Sequence, residues 1–286
     1  MDGSLFRKLV DPIVAQAAST QYKKPGHVAI FTHVYNEGKM LELWYDHYRQ
    51  LVPDEALYVI DDGSNDGSLG SLPNSVNKLL IPRGELDHYN MANYCGYFAR
   101  FLKQRYEWVI STDADELLFF PKSLEQSLRE LPVGVDVFKP EYAIAPIHQI
   151  DLEPAFNWRS NPESWATRRT VVNEIEMFLK PLITRSSVTW GPGQHYCQED
   201  VTILDGLVLL HAKHVDFDRI KASTTNWKLM DQTANDKNFF TRVTELAESQ
   251  SVDTYVRKLM SEYSLREKAT LPTVLARRIF GSDKVS

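Results

Sequence analysis

Three short apolar runs, each ending in a polar loop, constrain what this chain can become. His27 to Thr32, Ala56 to Ile60 and Trp108 to Ser111 are too brief for helices and read as buried strands. The first runs on into Asn36-Glu37. The second meets Asp61-Asp62-Gly63-Ser64-Asn65-Asp66-Gly67, and the third meets Thr112-Asp113-Ala114-Asp115-Glu116. Between them lie helical stretches. Glu37 to Leu51 sets Met40, Leu43, Trp44, His47 and Leu51 on one face behind Asn36, a good N-cap. Tyr89 to Tyr106 sets Tyr94, Tyr97, Phe98, Phe101 and Leu102 toward a core, after a short strand at Leu79 to Ile81. Strand, polar loop, helix, strand is the grammar of a mostly parallel α/β sheet flanked by helices. In such sheets ligands bind beyond the carboxyl ends of the strands, where both acidic loops fall.

The second half has a different texture. Val135 to Lys139, Ala143 to Ile147, Glu176 to Ser187 and Val201 to His211 read as strands. Asp151 to Thr170 is a long irregular loop rich in Trp, Asn, Pro and Arg, and long loops in compact domains are usually functional. From Phe217 onward helix-favouring polar sequence dominates. The expected division is an N-terminal helix and linker over 1–25, a catalytic domain over 26–215 and a helical C-terminal extension over 216–286. Within the catalytic domain, 26–120 forms a Rossmann-like nucleotide-binding half and 121–215 an acceptor half.

Composition narrows the function classes. The 286 residues are 43% hydrophobic and 24% charged, ordinary globular values that exclude disorder. A net charge of −6 excludes a basic nucleic-acid footprint, so no nucleic-acid partner is expected. Cys95 and Cys197 are too few for a disulfide framework, which suits a reducing compartment. No apolar run approaches a membrane span and the first ten residues lack a signal-peptide core. A cytoplasmic protein is expected, with peripheral attachment to the inner face of a membrane compatible with it.

Asp113-Ala114-Asp115 supplies two hard oxygen ligands one residue apart at a strand exit, a donor pair suited to Mg²⁺ or Mn²⁺ beneath a substrate phosphate. Taken alone it is equally a solvated turn, with Asp115 capping a helix that starts near Leu117. Asp61 and Asp62 can accept hydrogen bonds from a base or ribose, or close an Asx-turn in which Gly63 and Gly67 supply positive φ. Asn36 and Glu37 fit a helix start and a ligand contact equally well.

In order along the chain, Asn36-Glu37, the intact Asp61 to Ser68 loop and Trp108-Val109 followed by Asp113, Asp115 and Glu116 resemble the N-terminal half of the family 2 glycosyltransferases of GT-A fold. The likeness is to the branch that also resembles family 92. It is close over about Val28 to Phe120 and looser beyond. It implies a metal-dependent transferase of glycan or polysaccharide biosynthesis. A sugar would pass from a nucleotide-diphosphate sugar to a hydroxyl-bearing acceptor such as a glycan, with inversion expected. Asn36, Glu37, Asp61, Asp62, Arg83 and Asp113 would face the nucleotide, and Asp113 and Asp115 would hold Mn²⁺ or Mg²⁺.

The second half offers His195 after the Gly-containing turn Trp190 to Gln194, and His211 after an apolar strand, as additional metal or diphosphate ligands. Glu199 and Asp200 are the expected catalytic acids, one of them the base if configuration inverts. His214 reads as structural. Lys180 could meet a diphosphate. Trp158 and Trp165 could stack on a sugar, although core packing accounts for either. Arg168-Arg169 reads as solvated. Two other readings compete: a haloacid-dehalogenase-type phosphatase, which would want Thr or Val where Leu117 stands, and an inactive transferase-like module that binds a nucleotide or glycan as a scaffold.

Overall fold

The strand β1 (Val28–Val34) is buried at six of its seven residues, so both its faces are covered by the rest of the chain. That is the burial an interior strand of an α/β sheet requires. The computed structural model describes residues 27–83, 87–150, 153–159, 170–174, 176–229, 249, 251–269, 277 and 279, with no side-chain description for 226–229. The expected N-terminal helix over 1–25 lies outside the described residues.

Around β1 lie β2 (Leu57–Asp61), β3 (Asn77–Leu80) and β4 (Trp108–Ser111), all parallel, in the order β3-β2-β1-β4. The sheet continues through β8 (Ile183–Thr184), β6 (Val137–Ile147), β9 (Val201–His211) and β5 (Glu116–Phe119), with β7 (Thr170–Asn173) also paired to β6. β8 runs antiparallel to both β4 and β6, and β9 runs parallel to β6. Two reversals restore direction, so β6 and β9 point the same way as β1, β2 and β4. The carboxyl end of β9 at His211 therefore shares a sheet edge with the acidic loops. The expected α/β architecture, a mostly parallel central sheet flanked by helices, is present, and antiparallel pairings of β5, β7 and β8 make the sheet mixed.

Helix α1 (Lys39–Tyr48) fixes the loop that leaves β4. Its fully buried Trp44 donates from Nε1 to Thr112 Oγ1 at 2.9 Å, and Tyr48 Oη donates to the Glu116 carbonyl at 2.9 Å and accepts from Leu118 N–H at 3.1 Å. Asn36 does not cap this helix. It takes φ 53°, and Gly38 stands at the N-cap.

Helix α2 (His88–Lys103) turns a different face inward from the one its aromatics suggest. Ala92, Cys95, Gly96, Phe98, Ala99 and Leu102 are buried, whereas Tyr97 and Phe101 are exposed and Tyr94 is just over a third exposed. Small residues decide this. A Cβ on Gly96 would lie 2.9 Å from the Val188 carbonyl oxygen, an approach only glycine allows. Three other expectations are corrected. Val135 to Lys139 and Ala143 to Ile147 form one continuous β6 with an irregularity between Pro140 and Tyr142. Glu176 to Ser187 shrinks to a 3₁₀ turn at Glu176–Phe178 and the two-residue β8. Asp115 caps no helix, because β5 follows it directly and is followed by the short helix α3 (Leu124–Arg129).

The C-terminal helices α4 (Phe217–Leu229) and α5 (Val252–Ser264) build a second, smaller core. Ile220, Tyr255, Val256, Met260 and Tyr263 pack there with Ala145 and Ile147 of β6 and Val172 of β7. The expected boundary near residue 216 thus falls between the end of β9 and a helix that packs back on the sheet.

Candidate functional site

The loop after β2 is closed almost entirely by its own neighbourhood. Asp61, 1% exposed, accepts from Ser64 N–H at 3.0 Å. Asp66 accepts from Ser68 N–H and from Gly38 N–H, each at 2.9 Å. Asn36 bridges to it three times: its N–H donates to Ser64 Oγ at 2.9 Å, its Nδ2 to Asn65 Oδ1 at 3.0 Å, and its Oδ1 accepts from Asn65 N–H at 2.8 Å. Asp62 pairs with Arg83, whose guanidinium lies 3.6 Å from the centre of the Tyr35 ring. Gly63, at φ 72°, lets residue 83 come this close, since a Cβ there would meet Arg83 N at 3.1 Å. The expected nucleotide residues Asn36, Asp61, Asp62 and Arg83 form one interlocked unit, with Asp61 as its internal anchor.

The loop after β4 is held by charges from distant segments. Lys180, buried, donates to Asp113 Oδ2 at 2.7 Å and lies 2.7 Å from Glu116 Oε1. Glu116 is fully buried and accepts from Asp113 N–H at 3.1 Å. Burial pushes the Glu116 carboxyl up in pKa, and Lys180 counters it. Arg219, from the first turn of α4, donates to Asp115 Oδ2 at 2.7 Å and to Glu37 Oε2 at 3.4 Å. Burial works against ionisation of Asp115, but the Arg219 guanidinium, helped by His211, Lys213 and Lys180, outweighs it and holds that carboxyl well below its usual range.

Glu37 behaves oppositely. Its side chain is about a third exposed, and the burial of the remainder disfavours its charged form. That desolvation pushes its pKa up to about 7, with Arg219 lowering it and Asp115 and Asp113 raising it.

His211 lies beside Asp115. Its Nδ1 lies 2.9 Å from Glu174 Oε1 and its Nε2 lies 3.7 Å from Asp115 Oδ1. Glu174, itself paired with Arg266 at 2.8 Å, fixes the ring so that Nε2 faces the aspartate, the arrangement of a metal-binding imidazole with a supporting carboxylate. The backbone reinforces this, because β5 pairs with β9 with Glu116 opposite His211, and Ala212 N–H donates to the Asp115 carbonyl at 2.6 Å. His195 also lies against Phe178, whose ring is 5.0 Å from that of His211 and 5.5 Å from that of His195. His195 Nδ1 is 2.9 Å from the Met177 carbonyl, and burial, then Lys180, lowers its pKa.

Glu199 and Asp200 are not brought to this cluster. Glu199 accepts from Thr189 N–H at 2.9 Å, and Asp200 is exposed just before β9 begins. From Val201 to His211 the strand runs toward the site edge, so both acids stand at its far end, roughly 30 Å of strand away. Trp158 donates from Nε1 to Asp46 at 3.0 Å and stacks on Phe156, while Trp165, Arg168 and Arg169 lie outside the described residues. His214 is buried with its ring 3.8 Å from that of Tyr263. Three members of the cluster carry no readable signal in the sequence. Arg219, Glu174 and Arg266 sit in no motif, and pairing across the sheet and the packing of α4 bring them in.

The donor chemistry fits a hard divalent cation: carboxylates of Asp113 and Asp115, and a His211 nitrogen that faces Asp115. Each aspartate gives Oδ2 to a basic side chain, and Asp115 Oδ1 faces the imidazole. The donors are nevertheless not drawn together, since no group of three or more His, Cys, Asp or Glu among the described residues is arranged to hold a metal ion.

No family model matches this chain, and no curated protein matches it. Among solved structures, S. aureus TarS 1-349 in complex with UDP-GlcNAc aligns with a TM-score of 0.39 at 13% identity, over 78% of this chain and 73% of that one. Another S. aureus TarS structure aligns with a TM-score of 0.37 at 12% identity, and this chain spans only 44% of that chain. Glucosyl-3-phosphoglycerate synthase from Mycobacterium tuberculosis, in complex with Mn²⁺, UDP and glucosyl-3-phosphoglycerate, aligns over 42% of this chain and 45% of that one, at 20% identity and a TM-score of 0.29. At such scores the likeness says nothing of this chain's ligands, and the chemistry rests on its own geometry. No helix among the described residues is long and apolar enough to cross a membrane.

Proposed function

We propose that this chain is a glycosyltransferase of GT-A type that moves a sugar from a nucleoside-diphosphate sugar to an acceptor hydroxyl, with a divalent cation at the acidic loop. One observation carries the reading: two acidic loops leave β2 and β4 on either side of β1, at the sheet edge that also receives His211. That edge is where an open α/β sheet takes a nucleotide. The interlocked unit of Asn36, Asp61, Asp62 and Arg83 would form the base and ribose wall. Asp113, Asp115 and His211 would hold the cation, with Glu174 orienting the imidazole. Such a cation neutralises charge that develops on a departing diphosphate.

The chain's own residues have two tasks here. Arg219 holds Asp115 ionised and Lys180 fixes the direction of Asp113, so the acidic loop has a defined geometry of its own. Trp44 and Tyr48 keep the loop backbone from relaxing.

The test is thermal stabilisation and donor hydrolysis with a panel of nucleotide sugars, with and without Mn²⁺, on the wild type and Asp115→Asn. Stabilisation that needs both sugar nucleotide and cation is expected. Turnover in Asp115→Asn should fall by ~10²-fold or more, since losing even a supporting residue around a metal costs ~10- to 100-fold. Undiminished turnover in that variant, or in excess chelator, refutes the assignment.

A further inference from the structure

Arg219 occupies an unusual place for a guanidinium. It begins in α4, beyond the last strand, and its backbone is pinned, because Asp216 Oδ1 accepts from Arg219 N–H at 3.0 Å while Asp216 Oδ2 accepts from Phe156 N–H at 2.6 Å. Its side chain, 16% exposed, then reaches Asp115, Glu37 and the Lys213 carbonyl, the last at 3.1 Å. An arginine cannot give up its proton, and its burial is sustained here by two carboxylates. One of them is the aspartate that faces His211. A permanent positive charge therefore stands on a ligand of the proposed cation site.

Two roles are open to such a group, and they differ in sign. A residue that merely supports a ligand raises metal affinity, so its loss weakens binding by ~10- to 100-fold. A residue that supplies the missing charge itself competes with the metal, so its loss strengthens binding of the bare ion. The geometry points to the second. Arg219 does more than orient Asp115. It spans Asp115 and Glu37, and it satisfies the carboxylates in the absence of any cation. Lys180 does the same for Asp113 and Glu116. The two basic groups account for the dispersed donors: each aspartate has its counter-ion already.

We propose that Arg219 is a built-in counter-cation of the acidic loop, which disfavours a bare divalent ion and turns to the phosphates when a nucleoside diphosphate arrives with it. This rests on the reading of the site given above. It makes cation and nucleotide binding mutually reinforcing, because each brings the charge that the other displaces. A metal ion alone meets repulsion from the guanidinium. A metal ion accompanied by a diphosphate offers that guanidinium a new partner, with which it can form a bidentate pair.

The experiment is a Mn²⁺ titration followed by the free-ion electron paramagnetic resonance signal. It uses the full chain as wild type, Arg219→Gln and Arg219→Lys, each with and without saturating UDP, and circular dichroism reports folding. Arg219→Gln should bind Mn²⁺ alone about tenfold more tightly than the wild type, and the advantage should shrink or reverse with UDP. Arg219→Lys, which keeps the charge but not the bidentate fork, should behave as the wild type toward Mn²⁺ alone. Arg219→Met serves as the neutral variant if the Gln form does not fold. Weaker or unchanged Mn²⁺ binding in the neutral variants overturns the counter-cation role while leaving the cation site standing, provided the wild type binds Mn²⁺ with UDP. Absence of Mn²⁺ binding in every variant, with and without UDP, overturns both.

Discussion

The loops at the ends of β2 and β4 carry similar side chains and are held by opposite means. The first is tied by neutral and backbone hydrogen bonds within residues 36–83, with one ion pair, Asp62 to Arg83. The second is tied by ion pairs to residues 64 or more positions away, Lys180 and Arg219, and faces His211 across 3.7 Å. A loop of the first kind is rigid and nearly indifferent to the charge of its surroundings. A loop of the second kind is poised, because several carboxylates and several basic groups share one small volume and any new charge redistributes the rest.

The largest effect should follow from removing the buried cation of the second loop. Lys180→Met leaves Glu116 buried without its counter-ion and should destabilise the fold by ~3–5 kcal/mol. The double variant with Glu116→Gln should recover most of the loss. Urea unfolding of the single and double variants decides the matter, and a double variant no better than the single one would contradict the charge-balance account.

A smaller effect is expected in the first loop. Asp61→Ala removes a neutral-donor hydrogen bond at a buried position and should cost ~1–3 kcal/mol. No second-site charge change should rescue it, which is the contrast with Lys180. Recovery by neutralising Arg83 would show that the two loops are electrostatically alike after all.

The smallest effect concerns pH. Glu37 has its pKa raised to about 7 from 4.5, so the folded chain retains a proton that the unfolded chain releases over that interval. Its contribution to stability is therefore lost as pH rises from about 4.5 to about 7. Glu37→Gln cannot ionise and should gain on the wild type progressively through this window, then level off. Unfolding free energies at several pH values give the difference curve, and a curve that is flat or slopes the other way would remove desolvation as the dominant influence on Glu37.

Much of the first loop was legible because its partners are close in the chain and of one motif. Asp61 to Ser68 lies intact between a strand and a turn, and Asn36 stands at the exit of the neighbouring strand. The buried face of α2 was legible only at Phe98 and Leu102: aromatic residues outweigh glycine and alanine in any count of apolar faces, but closeness of approach at Gly96 decides which face packs. The acids Glu199 and Asp200 illustrate a further limit. They were expected as catalytic acids, but strand direction sets them at the end of β9 opposite His211.

By itself the sequence determined the alternation of buried strands and polar exits, the acidic character of two of those exits and the histidine at the end of β9. These are local properties, fixed by side-chain chemistry and by periodicities of a few residues. Only the tertiary structure decided which charges meet. Asp115 acquired Arg219 and His211, and Asp113 acquired Lys180, through a sheet that reverses direction twice and a helix that packs back upon it. Electrostatic partnership depends on distance in space, which grows or shrinks with the fold and is unrelated to separation along the chain.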